Sequence, residues 1–391
     1  MKQAVILAAG EGNRLRPFTA SKPKAMLTIA GKPILEHVIE ALAGSGVRSI
    51  VLVVGYRREQ IFDYFGSGEQ SGVEITYVKQ ERRLGTAHAL LQAKGVVADE
   101  FLVLSGDKLI SADTIAGFVA VEPEAVLVKR VDNPTRYGVV TIEDDLVREI
   151  TEQPKVAESS LISTRIYALS REVLNVIDAR LAISDALNAM IAQGRPLRAY
   201  ETDGTWLDIV YPWDILSLNG LILRQINPEM GGVIEKGVSL RGLVSVGKNT
   251  VIRANSSIVG PVVIGDGCHI GPHVCILPAT SIGDNVVLAP LTEVENSVIG
   301  SDVTIGAGSI IQDSVIDQGS VIAGHFTAAA GEAEVRINDE HHSLKVGAML
   351  GEGCNIGSGV VAQPGVILGS HSRVKALRLI SGRLPDRSLV F

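Results

Sequence analysis

The feature that most constrains this fold is a spacing. From Ile234, an aliphatic residue returns at every sixth position through Leu240, Val246, Ile252, Ile258, Ile264, Ile270, Ile276, Ile282, Leu288 and Val294. After one five-residue step the series resumes at Ile299, Ile305 and Ile311, and it slips again to Ile316 and Ile322. Glycine often follows the aliphatic position, as at Gly247, Gly265, Gly271, Gly283, Gly300 and Gly306. Neither the 3.6-residue period of a helix nor the alternation of a half-buried strand produces this pattern. One inward aliphatic per six-residue side belongs to a parallel β-helix, with three sides to a coil and each coil stacked on the last. Eleven consecutive matches leave little room for chance. The period lapses across the polar residues 324–345 and returns at Leu350, Ile356, Ala362, Leu368 and Val374. A gap that long reads as a functional or disordered loop. Residues 377–391 are expected to leave the pattern and cap the end.

The first 210 residues follow a different rule. Short β-branched runs (Val5–Ala9, Ser49–Val54, Glu74–Val78, Glu100–Leu104) alternate with helical stretches at Pro33–Ser45, Arg58–Phe65 and Thr86–Ala93. Apolar strands separated by helices indicate a Rossmann-like α/β domain with a mainly parallel sheet covered on both faces. Such sheets bind ligands at the carboxyl ends of their strands. Both the loop after Ala9 and Ser105-Gly106-Asp107 lie at such ends. The expected organisation is therefore a domain over 1–211, a linker helix within 212–230, the β-helix over 231–376 and a cap over 377–391.

Composition removes several classes. No apolar run approaches the roughly 20 residues of a membrane helix, and the opening run is too short for a signal peptide. Three widely spaced cysteines argue against a disulfide framework or zinc site, so a cytoplasmic location is expected. A net charge of −7 argues against general nucleic-acid binding.

Chemistry concentrates in residues 10–24, where Gly10-Glu11-Gly12-Asn13-Arg14-Leu15-Arg16-Pro17-Phe18-Thr19 precedes Ser21-Lys22-Pro23-Lys24. A glycine-rich turn after a first strand lets backbone N–H groups close on a phosphate or a base. The third glycine of a dinucleotide fingerprint is missing, as is the Walker Gly-Lys-Ser/Thr. Cations are present instead, Arg14 and Lys24 above all. They suit attack on a phosphoanhydride, where charge builds on the departing pyrophosphate.

These residues resemble the sugar nucleotidylyltransferase family, whose signature is G-x-G-x-R-L-x-P-x-T followed by a P-K pair. The likeness continues in order through Gln80, Leu84-Gly85-Thr86-Ala87, Ser105-Gly106-Asp107, Tyr137-Gly138, Glu152, Asp185-Ala186-Leu187 and Trp206-Leu207-Asp208. The resemblance implies an in-line displacement. A sugar-1-phosphate oxygen attacks the α-phosphorus of a nucleoside triphosphate, UTP or dTTP, and pyrophosphate leaves. It also implies roles: Arg14 on the β- and γ-phosphates, and Lys24 on the α-phosphate and the sugar phosphate. Ala8, Gly10, Gly12, Gln80, Gly85 and Thr86 would hold the nucleotide, and Tyr137, Gly138 and Glu152 the sugar. Asp107 and Asp208 would hold Mg²⁺, which takes one or two carboxylates plus phosphates and waters.

Three positions depart from that family's pattern. Lys108 follows Asp107 where a small or neutral residue is usual. Gln153 replaces the lysine of E-K-P, a contact to the sugar phosphate, with Lys155 close by. Ser163-Thr164-Arg165-Ile166-Tyr167 replaces N-x-G-x-Y. On the nucleotide side, Asn13 stands where Thr or Ser is usual. The expectation is an unusual sugar whose extra anionic group meets Lys108 or Arg165.

The whole-chain order also resembles archaeal bifunctional sugar-1-phosphate nucleotidylyltransferase/acetyltransferases. Their left-handed β-helix assembles as trimers and acetylates an amino sugar, such as glucosamine-1-phosphate, from acetyl-CoA. Acetyl transfer to an amine needs a base. Where that family carries a histidine loop, this chain has Ala289-Pro290-Leu291-Thr292-Glu293-Val294. His325, His341 and His342 are the alternatives. This favours an oligomerising or regulatory β-helix, in a homo-oligomer, over an acetyltransferase. A non-catalytic nucleotide-binding subunit is the third reading, opposed by the retained Arg14, Lys24, Asp107 and Asp208.

Overall fold

The computed structural model describes residues 1–82, 84–176 and 182–391. Contacts divide the chain into two units. Met1–Glu11, Pro23–Met26 and Ile34–Asp208 form the first; Gly12–Lys22, Leu27–Pro33 and Ile209–Phe391 form the second.

The first unit is built on a nine-stranded sheet. Its order is Glu74–Lys79, Ser49–Val54, Gln3–Ala8, Glu100–Ser105, Leu161–Ser170, Ala125–Arg130, Arg198–Glu201, Leu146–Glu152 and Gly138–Glu143. The first four strands are mutually parallel, and the rest is mixed, with Leu161–Ser170 antiparallel to both neighbours. Alternation along the central strand sorts its side chains between two cores. Ala4, Ile6 and Ala8 join Leu35, Val38 and Leu42 of helix Ile34–Gly44 in one. Val5 joins Ala87 and Leu90 of helix Thr86–Gln92 and Leu187 and Met190 of helix Ile183–Ala192 in the other. With both faces covered, β-branched residues fill the strand without alternation of polarity, which is why it reads as a continuous apolar run.

The second unit is a left-handed parallel β-helix made of sheets of nine, eight and eight strands. Ile252 pairs with Ile270, Ile270 with Leu288, Leu288 with Ile305 and Ile305 with Ile322, so one aliphatic column runs through successive coils. All of these are buried. Each such side chain contributes about 1.5–3 kcal/mol by leaving water, and the stack repeats that gain at every side. At one corner the backbone turns through positive φ in each coil, at Asn249, Gly267, Asn285, Asp302 and Gly319. Glycine, asparagine and aspartate tolerate that region best.

Two expectations are corrected here. Residues 377–391 do not break the pattern: Leu379–Ile380, Arg383–Leu384 and Leu389–Val390 extend the three sheets by a further coil. The interruption is narrower than 324–345 and ordered. Thr327–Ala328 still belongs to the β-helix, and Gly331–Ile337 pairs with Glu340–Val346 as an antiparallel hairpin.

Helix Asp214–Leu223 falls inside the expected linker and packs on strands Thr280–Ile282 and Val298–Ile299. Its buried Asn219 accepts from the Ala30 N–H at 2.9 Å and donates to the Ala279 carbonyl at 2.8 Å, satisfying two otherwise stranded backbone groups. The Gly12–Lys22 segment is held in the same unit. Lys22 Nζ lies 2.8 Å from Asp317, and Arg14 reaches Glu340 at 3.8 Å. No helix among the described residues is long and apolar enough to cross a membrane.

Candidate active site

Two cavities open at the carboxyl ends of the central strands of the first unit. The first, about 270 Å³, is lined by Ala8, Ala9 and Gly10, by Lys24, by Gln80, Gly85 and Thr86, and by Asp107 and Arg165. The second, about 290 Å³, is lined by Glu152, Arg165, Tyr167 and Ser184 among others. The pair adjoin, sharing Leu7, Gly85, Thr86, Ser105 and Arg165.

Local structure explains the shape of the first. Gln80 is buried, and its amide donates to the Gly85 carbonyl at 3.1 Å and meets His88 Nδ1 at 3.0 Å, so it braces the turn before helix Thr86–Gln92. Gly85 itself sits at φ 113°, ψ 177°, a region essentially reserved for glycine.

Four charges alternate at the floor. Lys24 Nζ lies 2.5 Å from Asp107 and 3.8 Å from Asp208, and Lys108 Nζ lies 2.7 Å from the other Asp208 oxygen. Antiparallel pairing of Trp206–Asp208 with Lys108–Ile110 sets Asp208 opposite Lys108. Lys108 is buried and also lies 5.0 Å over the Trp206 ring. Burial opposes the charged form of Asp107, but the Lys24 ammonium, with Lys108 behind it, holds its carboxyl at about 2. Burial likewise opposes the charge on Lys24, and the carboxylates of Asp107 and Asp208 outweigh it and raise its pKa. The result is a dense, preorganised polar site of the kind that stabilises charge moving between phosphate oxygens.

The chemistry of this donor set fits a magnesium ion. Two carboxylates converge on one ammonium, which suits an ion that takes the rest of its shell from phosphates and water. Among the described residues, no group of three or more His, Cys, Asp or Glu side chains forms a metal site.

The structure brings Ala8, Gly10, Lys24, Gln80, Gly85, Thr86 and Asp107 onto one cavity and Glu152 onto the other, with Asp208 behind Lys24. Tyr137 and Gly138 stand behind Glu152: Gly138 faces it in the strand ladder, and the Tyr137 ring packs edge-on to Trp206 at 5.5 Å. Gly12 and Arg14 belong by their contacts to the second unit. Lys108 is buried, with its ammonium on the Asp208 carboxylate, and lines neither cavity. Lys155 is exposed and lines neither cavity. Ser105 and Tyr167, from two of the stretches that carry the resemblance, also line the cavities; Ser184 lines the second without a local signal in the sequence.

In the β-helix, His325 occupies a positive-φ turn, as do His273 and Leu291 on other coils. His341 and His342 lie on the hairpin instead, where the His342 ring packs 4.3 Å from Tyr211 and 5.1 Å from Trp213.

Comparison with known proteins decides the family. The nucleotidyl transferase model matches residues 3–224, more than half of the chain. The chain belongs to the nucleotidyl transferase family. The six-repeat bacterial transferase hexapeptide model matches 243–278 and 261–296, and the hexapeptide repeat of succinyl-transferase matches 348–376. Among its relatives is the bifunctional protein GlmU of Methanococcus maripaludis, 36% identical over 99% of this chain and 97% of that one. A bifunctional sugar-1-phosphate nucleotidylyltransferase/acetyltransferase of Sulfurisphaera tokodaii is 32% identical over 95% of each chain. Among solved structures, a glucose-1-phosphate thymidylyltransferase of Bacillus anthracis superposes with a TM-score of 0.53 at 29% identity, covering 58% of this chain and 97% of that one.

Proposed function

We propose that this transferase joins a nucleotide to a sugar-1-phosphate, with UTP or dTTP as donor and pyrophosphate as the second product. The observation that carries this reading is the pair of adjoining cavities beside the Lys24–Asp107 cluster. Two separate ligands then meet over a charged floor, which suits a direct displacement. The base would lie against Ala8, Gly10, Gln80, Gly85 and Thr86, and the sugar against Glu152, backed by Tyr137 and Gly138. Lys24 would neutralise charge on the α-phosphate as the sugar phosphate approaches, holding both in the geometry of attack. Arg14, on the segment starting at Gly12, is assigned to the β- and γ-phosphates by resemblance. Asp107 and Asp208 would hold Mg²⁺, which, when bound, offsets the charge of the phosphates. The expected result is pyrophosphate release from at least one pairing in a matrix of nucleoside triphosphates against sugar-1-phosphates. Nucleotide binding with no release across the matrix would replace this reading with that of a non-catalytic, nucleotide-binding subunit.

A second activity is supported by one specific observation: the relatives matching nearly the whole chain are named as bifunctional, one of them as an acetyltransferase. We infer that the β-helix also transfers an acetyl group from acetyl-CoA to an amino sugar phosphate, in a homo-oligomer built on the hexapeptide repeats, a trimer or a multiple of three. The expected result is thiol release from acetyl-CoA that depends on glucosamine-1-phosphate. No release above the background without glucosamine-1-phosphate would leave the β-helix an oligomerising or regulatory element.

A further inference from the structure

Arg165 stands where the backbone least favours an arginine. Its φ is 61°, in the left-handed region that residues bearing a Cβ disfavour. The position lies in a strand bulge: Ser163 pairs with Val128 and Ile166 with Leu127, leaving Thr164 and Arg165 as extra residues. Such bulges re-aim side chains near active sites. This one is firmly secured. Thr164 Oγ1 donates to the Leu127 carbonyl at 2.7 Å, Trp206 Nε1 donates to the Thr164 carbonyl at 3.1 Å, and the Arg165 N–H donates to Ser163 Oγ at 3.1 Å. A costly conformation that its surroundings hold in place is a reason to look for a function.

The bulge delivers the guanidinium to the seam between the cavities. Of the five described residues that line both, Arg165 alone carries an ionisable side chain. It lies 2.7 Å from Glu152, and its field reaches Lys24 and Asp107. Gln153, at the place of the missing lysine, is turned elsewhere: its side-chain amide donates to the Arg136 carbonyl at 3.3 Å. Among the described residues, the sugar side of the seam therefore has one cation, supplied from a different strand.

Resting on the nucleotidyl-transfer reading, we propose that Arg165 binds the phosphate of the sugar-1-phosphate and presents it to the nucleotide. Its planar fork suits two phosphate oxygens. In taking them it exchanges its contact with Glu152, which is then free to accept from sugar hydroxyls. The bond formed joins a sugar-phosphate oxygen to the α-phosphorus, and the bond broken is the one to pyrophosphate, which leaves with its electron pair. Arg165 supplies N–H donors only and moves no proton.

The test uses the full chain and the sugar-1-phosphate most active in the matrix. Arg165→Gly removes the guanidinium while suiting φ 61° better than any other residue, so folding is not at risk. The expected result is a rise of about 10- to 100-fold in KM for the sugar-1-phosphate, the range of a lost charge-assisted contact. Arg165→Lys should recover part of it, and added guanidinium ion should partly rescue the glycine variant. Dissociation constants for the nucleoside triphosphate, read by calorimetry, and inhibition by the unphosphorylated sugar should stay within about threefold. Inhibition by inorganic phosphate should weaken in parallel with KM. An unchanged KM overturns the proposal. So does weaker nucleotide binding alone, or an equal loss for the free sugar, which would place Arg165 on the donor or on the sugar ring. A wild-type chain silent across the matrix defeats the underlying reading instead.

Discussion

Replacing Lys24 by methionine is expected to lower kcat/KM for nucleotidyl transfer by about 10³-fold while the protein remains folded. The ammonium is the point on which the site converges, 2.5 Å from Asp107 and 3.8 Å from Asp208. Removing a single preorganised donor from a charge-stabilising site typically costs 10²- to 10³-fold, and a full positive charge belongs at the upper end. Methionine keeps the length and apolar volume of the stem, so packing changes little. Stability should fall by about 1–2 kcal/mol, between the values for exposed and for buried ion pairs. Lys24 and Asp107 keep 17% and 26% of their side chains exposed, and Lys108 still satisfies Asp208. Single-turnover pyrophosphate release measures the first quantity and a urea midpoint the second. Activity within tenfold of the parent would remove Lys24 from the reaction. A Lys24→Arg variant should sit between the two, because its donors are displaced though its charge is kept.

How far the sequence carried these conclusions depends on the range of the forces involved. The β-helix was legible because its signal is local and repeated: an inward aliphatic returns on side after side, and the five-residue steps correspond to shorter coils, as from Leu288 to Ile305. The coil at Leu379–Val390 departs from the six-residue spacing because its register tightens, with Leu368 pairing with Leu384. The hairpin had a signal, Asn338-Asp339 between two alternating strands, with Asn338 at φ 55°. Lys108 and Arg165 are another matter. Both were visible as substitutions, yet their roles depend on distant pairings. Lys108 is buried because its strand meets Trp206–Asp208, and Arg165 is re-aimed by a bulge against Leu127. The side of the sheet a residue faces can be read from its own strand. The carboxylate it meets there cannot.

The placement of the Gly12–Lys22 segment is a second long-range result, and it leads to the other large expected effect. This stretch carries Arg14, yet its partners lie in the β-helix. Lys22 Nζ is 2.8 Å from Asp317, whose same oxygen accepts the Gln318 N–H at 2.9 Å; Gln318 in turn donates to Glu352 at 3.2 Å. Lys22 and Asp317 are only 13% and 10% exposed, so removing one leaves a poorly solvated charge on the other. Asp317→Ala is therefore expected to loosen the segment while the aliphatic columns keep the β-helix intact. If Arg14 serves the triphosphate, KM for the nucleotide should rise about 10- to 50-fold, since small misplacements of a positioning cation are costly. KM for the sugar-1-phosphate should move less than threefold, the opposite of the pattern expected for Arg165→Gly. Reversing both charges, Lys22→Asp with Asp317→Lys, should recover part of the loss, and the double-mutant cycle isolates the pair from any general effect on stability. An unchanged nucleotide KM in Asp317→Ala would show that the segment holds its conformation without the pair. A loss that the reversed pair does not relieve would point to Asp317 acting on its own coil, through Gln318, rather than on Lys22.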